Sequence, residues 1–357
     1  MKASGIVSGK GARMIWPGGA IAAGMIAVAA CFSPAAGLGQ AFAQEIAYFR
    51  IGAGAPGSTL YDLAGQVAGA ISNPPGSRQC DIDGPCGVEG VIGLAQTTAD
   101  PMDGLQSVEG GTIESAIVSA DIADAAWQGT GLFKKSGAMA DLRAIANVGQ
   151  LVLHVLVTKE ARFQDLAALG GQRIAIGAKD SDNAVTAQFL LHAAGLNEKK
   201  TKLVTGDPGE AAQQLLDGRI DALILVAQLP SEDVAALMQT GNYRLLGAAL
   251  SDDNKDSYVV ADWIPHRQYP GADATPTLSL PAVWVVRDSL SADLAHGLAM
   301  ALWHSAVKTD EPAAPGAIHL DAMRTSVPLH PGAKAAFDEL RKEAGQPPLE
   351  PQPTTTN

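Results

Sequence analysis

The chain has 357 residues, enough for two domains with cores of their own, and its 47% hydrophobic content excludes a disordered protein. With 25 basic against 37 acidic residues it carries a net charge of −12, which disfavours nucleic acid as a partner. Aromatics are only 5% while glycine and alanine abound, a composition that suits an α/β protein with close helix–sheet packing.

Residues 1–43 read as an export signal. Lys2, Lys10 and Arg13 form a basic start, Met14–Phe32 is small and apolar, and Ala41-Phe42-Ala43 is a cleavage site. Val28-Ala29-Ala30-Cys31 resembles a lipoprotein box, so a lipid tether at Cys31 is the alternative to a free periplasmic protein. Cleavage after Ala43 removes three basic and no acidic residues, leaving 22 against 37 and a net charge of −15. No other stretch is apolar enough to span a membrane.

The mature chain opens on its most informative stretch, Ile46–Ala64. A β-favouring run, Ile46–Ile51, stops at a glycine loop that feeds a helix over Leu60–Ile71. Such a turn bares backbone N–H groups at a helix N-terminus and favours an anion there. Gly52-x-Gly54-x-x-Gly57 also matches the dinucleotide fingerprint. That fingerprint needs an acid about 20 residues further on, where Pro74–Cys80 reads as loop, so a nucleotide is disfavoured. A purely structural turn is the plainer alternative. Within the next loop, Cys80 and Cys86 read as a disulfide of an exported chain. Two sulfurs without a nearby histidine make a poor metal site.

Strands and helices then alternate. Strands are expected at Val91–Ala95, Ser115–Val118 and Leu142–Val148, with Leu151–Val157 extended as a crossover. Helices are expected at Met102–Gly110 and Ile122–Gln128. A second unit repeats the opening theme: strand Arg173–Gly177, a polar loop, and helix Asn183–Ala194. Val204 opens another strand, followed by helix Pro208–Leu216, strand Asp221–Val226, helix Leu229–Met238 and strand Tyr243–Leu250. Ser251–Pro276 reads as a polar loop. Leu278–Val286 is a strand crossing back, with helices at Ala292–Ser305, Ile318–Ala322 and Ala333–Ala344. The pattern is α/β with mostly parallel sheets. Ligands in such sheets bind beyond the carboxyl ends of strands, and four polar turns fall there: Gly54–Tyr61, Gln96–Asp100, Ser119–Asp121 and Ala178–Asn183. Two units with facing loops make a hinged cleft.

No G-x-S-x-G, H-E-x-x-H or phosphate-binding P-loop is present, and the seven histidines have no metal-like spacing. The chain is therefore expected to be no enzyme, with no catalytic residue, metal or cofactor. Asp121, just after a strand, suits helix capping or cleft hydrogen bonding better than base catalysis.

The order of these turns resembles the solute-binding subunits of tripartite ATP-independent periplasmic (TRAP) transporters of the TAXI type. The likeness rests on Ile51-Gly52-x-Gly54-x-x-Gly57-x-x-x-Tyr61, Ser119-Ala120-Asp121-Ile122-Ala123 with Gly129-x-Gly131, and Leu142-Arg143-Ala144-Ile145-Ala146. Asp165-Leu166 ahead of Gly171-x-Arg173-Ile174-Ala175-Ile176-Gly177, and Leu216-x-Gly218-x-Ile220-Asp221-Ala222, continue it. The resemblance implies a type II periplasmic binding protein fold with two lobes around a hinged cleft. It implies capture of a small organic anion, a dicarboxylate or acidic amino acid, for delivery to membrane subunits driven by an ion gradient. Two departures bear on the ligand. Thr98-Ala99-Asp100 and Ser181-Asp182-Asn183 place acids where the family's turns carry none, and an acid there repels a carboxylate. The basic residue nearest a cleft loop is Lys179.

The residues expected to bind are Gly54, Ser58, Thr59, Tyr61, Thr97, Thr98 and Asp121 from the first lobe, and Ser181, Asn183, Thr186 and Gln228 from the second. Trp284 is expected in the core rather than the cleft wall. The implied organisation is residues 1–43 signal peptide, 44–150 first part of lobe 1, 151–264 lobe 2, 265–344 crossover strand and helices returning to lobe 1, and 345–357 disordered tail. The competing readings are the receptor of an ATP-driven importer, a sensory module of a membrane kinase, and an exported enzyme on the same fold.

Overall fold

A computed structural model describes residues 46–77, 86–196, 201–256, 258–307, 325–345 and 347–349. The expected export segment, Cys80 with its pairing to Cys86, the Ile318–Ala322 helix and the end of the tail lie outside the described residues.

In chain order the elements are β1 (Ala47–Ala53), α1 (Thr59–Ile71), β2 (Ser72–Asn73), β3 (Val88–Glu89), β4 (Val91–Thr97), α2 (Pro101–Glu109), β5 (Ser115–Ser119), α3 (Ala120–Gln128) and β6 (Leu142–Thr158). Then come β7 (Arg173–Ala175), α4 (Asp182–Ala193), β8 (Lys202–Val204), α5 (Pro208–Leu216), β9 (Ala222–Ala227), α6 (Glu232–Gln239) and β10 (Tyr243–Leu245). β11 (Val260–Ile264), β12 (Thr275–Arg287), α7 (Ala292–Val307) and α8 (Pro331–Glu343) complete the chain.

Ten of these strands form one sheet whose path is β4-β1-β5-β12-β6-β9-β7-β8, with β10 on β6 and β11 on β12. The path contains one plan twice. In the first half β4-β1-β5 is parallel and is followed by antiparallel β12 and then β6. In the second half β8-β7-β9 is parallel and is followed by antiparallel β6 and then β10. The chain thus passes between the halves on β6 and β12. This is a two-lobed α/β fold with helices on the sheet faces, as the strand–helix alternation called for, but the pairing is mixed rather than mostly parallel, because β6, β10, β11 and β12 all pair antiparallel.

Several expectations need correction. Leu142–Val148 and Leu151–Val157 are one continuous strand, because the Gly149-Gln150 step is held by pairing with Ala282 and Pro281 of β12. The expected loop Ser251–Pro276 contains β11, pinned antiparallel to β12 from Val260↔Ser279 to Ile264↔Thr275. Its half-exposed pattern, with Trp263 at 58% exposure, hides it from a hydrophobicity reading. β10 ends at Leu245 rather than Leu250. The start of the tail folds back onto α8, where the Leu349 N–H donates to Asp338 Oδ1 at 3.0 Å.

The core runs along both faces of the crossover strands. Trp284 is fully buried in β12 and meets Phe49 of β1 edge-on, with ring centroids 6.0 Å apart. A second cluster in the later half gathers Val152, Leu156, Leu223, Tyr243 and Tyr269. There His154 is fully buried, with Nδ1 3.0 Å from Val152 O and Nε2 2.8 Å from the Tyr269 hydroxyl. Burial pushes its pKa down to about 4, so the ring stays neutral.

Candidate functional site

The two halves present the same device at the end of their first strands. β1 ends in a loop whose Gly57 has φ +81°, and β7 in a loop whose Gly177 has φ +91°. These are left-handed conformations that side chains resist. Each loop hands over to a serine N-cap. Ser58 Oγ accepts from the Tyr61 N–H at 3.3 Å to start α1, and Ser181 Oγ accepts from the Ala184 N–H at 3.2 Å to start α4. Both helix N-termini open onto one cavity of about 330 Å³, lined among others by Ser58, Thr59, Ser181, Asp182, Asn183 and Thr186.

The halves meet beside this cavity. Asp182 stands against the glycine loop of the first half, so that a Cβ at Gly54 would collide with its Oδ2. With glycine at 54 the Asp182 carboxylate can lie directly against the loop; a larger residue would make that side chain move. Buried Ser119 and Thr186 share a hydroxyl–hydroxyl bond of 2.8 Å, and Thr186 Oγ1 donates to Asp121 Oδ1 at 3.5 Å.

The electrostatics of this contact are one-sided. Asp121 is only 7% exposed, and burial pushes its carboxyl up to about 6 despite hydrogen bonds from Ser119, from its own and the Ile122 backbone N–H, and from Thr186. Burial also raises Asp182 to about 6. Its own backbone N–H opposes that, while the charges of Asp121 and Asp100 add to it. Among the described residues no arginine or lysine lines the cavity, whereas Asp182 and Asp233 do. Lys179 is 80% exposed and faces Asp180 at 3.7 Å. Among the described residues no group of histidine, cysteine and acidic side chains could hold a metal ion, and no helix is long and apolar enough to cross a membrane.

Residues 51–340, most of the chain, match the model of the NMT1-like family. The chain belongs to that family. Among solved structures, the NMT1-like chain is similar to a putative periplasmic sulfonate-binding protein SsuA of Methylobacillus flagellatus, at 14% identity and a TM-score of 0.46, over 75% of this chain and 70% of that one. The periplasmic aliphatic sulphonate-binding protein SsuA of Escherichia coli gives 13%, 0.44, 84% and 79%. A TctC solute-binding protein from Polaromonas gives 16%, 0.45, 73% and 85%.

Of the residues expected from the sequence of this NMT1-like chain, Ser58, Thr59, Ser181, Asn183 and Thr186 come together on the cavity. Gly54 lies beside it under Asp182. The others are placed elsewhere. Tyr61 packs against the hydrophobic core. Thr97 is exposed at the end of β4, and the Thr98 hydroxyl donates to Ala53 O at 2.9 Å, holding β4 to β1. Asp121 faces a neighbouring chamber instead. Gln228 is near Gly149 on β6, and its buried Nε2 has no hydrogen-bond partner among the described residues. Asn183 lines the cavity with its amide already engaged. It donates to Ile176 O at 2.7 Å and Ile224 O at 3.2 Å, and accepts from the Val226 N–H at 2.7 Å. Sequence reasoning missed Leu151, Leu225, Ser231 and Asp233 as lining residues. Ser231 was within reach as the N-cap of α6, just past the Gln228 turn and its proline.

Proposed function

We propose that this protein is an extracytoplasmic receptor that captures a small solute in the cavity between the halves and hands it to membrane subunits of a transporter. The observation that carries the reading is the convergence of two serine-capped helix N-termini, one from each half, on a single cavity. Neither N-terminus alone would make a site, but a solute bridging both favours the closed arrangement over an open one. Family membership and the expected export signal support the same reading. The absence of a nucleophile–base pair from the sequence motifs supports a binder over an enzyme. The lobe boundary at 150/151 belongs to this proposal; the return expected from residue 265 is placed instead inside β12, because Tyr269 and Ala272 pack with the second cluster.

The charges narrow the solute. Backbone N–H groups and the Ser58 and Thr59 hydroxyls offer hydrogen bonds to an anionic group, whereas the Ser181 hydroxyl already donates to Ala178 O at 2.8 Å; Asp182 and Asp233 are close, and no cation among the described residues lines the cavity. A solute with at most one negative charge is favoured over the dicarboxylate that the TAXI resemblance suggests. Because Asp182 titrates near 6, affinity for a monoanion rises as pH falls through that value. The TRAP partnership rests on the sequence resemblance alone.

Native mass spectrometry of protein purified without refolding tests the reading. A discrete small-molecule adduct, lost on denaturation and weakened by Ser58→Ala with Ser181→Ala, is expected. A bare mass, together with no thermal shift across monocarboxylates, dicarboxylates and amino acids at roughly pH 5.5 and 7.5, on either side of the Asp182 titration, overturns it. Uptake that survives collapse of the ion gradient while ATP is retained would replace the TRAP partner with an ATP-driven one.

A further inference from the structure

A second and larger chamber, of about 780 Å³, is lined by Asp121, Ile122 and Val185, neighbours in the chain of Ser119 and Thr186. It is lined by α3, α4, Leu203 of β8 and the turn after α3, together with Asp256 and Tyr258. Apolar surface comes from Phe133 behind Gly131 and from Phe189 and Tyr258, whose rings stack at 5.9 Å and 20°. Into this apolar space face three carboxylates, Asp121 and Asp124 on α3 and Asp256 opposite. Among the described residues no lysine or arginine lines the chamber, and the basic side chain there is the exposed His192 near the end of α4.

Asp256 acts on Asp124, and all three acids act on Tyr258. Asp124 is raised by burial and by Asp256, while the Gln128 amide at 2.8 Å holds it down. The Tyr258 hydroxyl is pushed far up by burial and then by the charges of Asp124, Asp256 and Asp121. Like charges gathered in a partly dry cavity cost free energy that an entering cation relieves. Aromatic faces add attraction for a cation and contact for an apolar body.

We infer that this chamber binds an organic cation with an apolar body, such as an arylalkylammonium or quaternary ammonium compound, with its charge among Asp121, Asp124 and Asp256 and its body against Phe189 and Tyr258. The site is distinct from the smaller cavity and stands whether or not that cavity holds a solute. Binding strengthens as pH rises through about 6, where Asp121 ionises. Among the described residues, the other titratable groups facing the chamber are Asp124, Asp256, Tyr258 and His192.

Titration calorimetry on the mature protein, with phenethylammonium and tetraethylammonium chloride at fixed ionic strength, tests this. The uncharged 2-phenylethanol serves as control. One saturable site is expected, with phenethylammonium about ten-fold tighter than 2-phenylethanol. Asp124→Asn and Asp256→Asn should each weaken the cation severalfold and leave 2-phenylethanol unchanged. Asp256 is half-buried in a loop, so its variant serves even where Asp124→Asn fails to fold. Equal affinity for cation and alcohol, wild-type affinity in both folded variants, or no saturable heat from either cation overturns the inference. Loss of solute from the smaller cavity in the Ser58→Ala, Ser181→Ala protein, with cation binding intact, shows that the two sites fail separately.

Discussion

Arg50 on β1 and Arg173 on β7 do the same thing in the two halves of the sheet. Each grips an acid just before the third strand of its half with side chain and backbone together. Arg50 reaches Glu114 by N at 2.8, Nε at 2.8 and Nη2 at 2.6 Å, and Arg173 reaches Asp221 by N at 2.8, Nε at 2.9 and Nη2 at 2.8 Å. The likeness goes further. Asp100 caps α2 ahead of Pro101, as Asp207 caps α5 ahead of Pro208. The halves diverge where they face one another. Two residues after the Ser58 cap stands Leu60, buried among apolar side chains; two after Ser181 stands Asn183, whose amide ties β7 to β9. Position 121, reached from β5, is a buried carboxylate, and position 228, reached from β9, is a buried amide. One scaffold has thus been given an apolar wedge and an acid on one side and a polar wedge on the other.

Exchanging the wedges breaks the comparison most severely. Asn183→Leu puts the first half's residue into the second and strands Ile176 O, Ile224 O and the Val226 N–H. Buried groups left unpaired cost about 1–3 kcal/mol each in the worst case. Partial relaxation and the half-exposure of Asn183 bring the expected loss to roughly 3–4 kcal/mol of unfolding free energy. Urea denaturation reads this directly. A change under about 1 kcal/mol would mean that the amide is dispensable and free to serve a solute.

The acids sharpen the contrast through pH. Asp121 has a folded pKa raised from 3.8 to about 6, so its contribution to stability is fully present below pH 3.8 and is lost as pH rises through 6. Asp121→Asn removes that loss and should make the protein more stable at pH 7 by roughly 2–3 kcal/mol, since a tenfold change in proton affinity is worth about 1.4 kcal/mol. Well below pH 3.8, where the carboxyl is protonated in both states, the two proteins should agree. His154, lowered from 6.5 to about 4, gives an opposite slope between those values, but it is common to both proteins and cancels in their difference. Thermal unfolding of both from about pH 4 to 8 reads the effect, and parallel curves would refute it.

What the sequence made legible was local. The strand–glycine–serine–helix turns at Ser58 and Ser181 could be read because capping and positive-φ glycine are set by neighbouring residues. They led directly to Ser58, Thr59, Ser181, Asn183 and Thr186 on the cavity. β6 reads as two strands because Gly149-Gln150 looks like a break, and only its pairing with β12, far along the chain, keeps it extended. β11 is hidden because a half-exposed strand paired at the sheet margin has little apolar content of its own. Thr97 and Thr98 suit the cleft by their place at a strand end, but Thr98 spends its hydroxyl on Ala53. The pressing of Asp182 on Gly54 depends on the distance between the halves, which no local pattern encodes.

The paired arginines offer the smallest effect and the cleanest test of equivalence. Both ion pairs are partly exposed, with side-chain exposures of 38% and 28% for Arg50 and Glu114 and of 41% and 21% for Arg173 and Asp221. Solvent screens such pairs, so each contributes little even with bidentate geometry. In both halves the acid is held below its usual range: Asp221 chiefly by the Arg173 hydrogen bond, and Glu114 by Arg50 against a larger opposing effect of burial. Their contributions are present at neutral pH and fade as pH falls through the carboxylate range. Double-mutant cycles with Arg50→Met and Glu114→Gln, and with Arg173→Met and Asp221→Asn, should return coupling energies that agree within about 0.5 kcal/mol. Arg173 also donates to Gly218 O at 2.8 Å, so its single variant should cost more than that of Arg50 while the couplings stay equal. Unequal couplings would mean that the shared geometry hides different environments, and that the two halves have diverged in their frame as well as at the cleft.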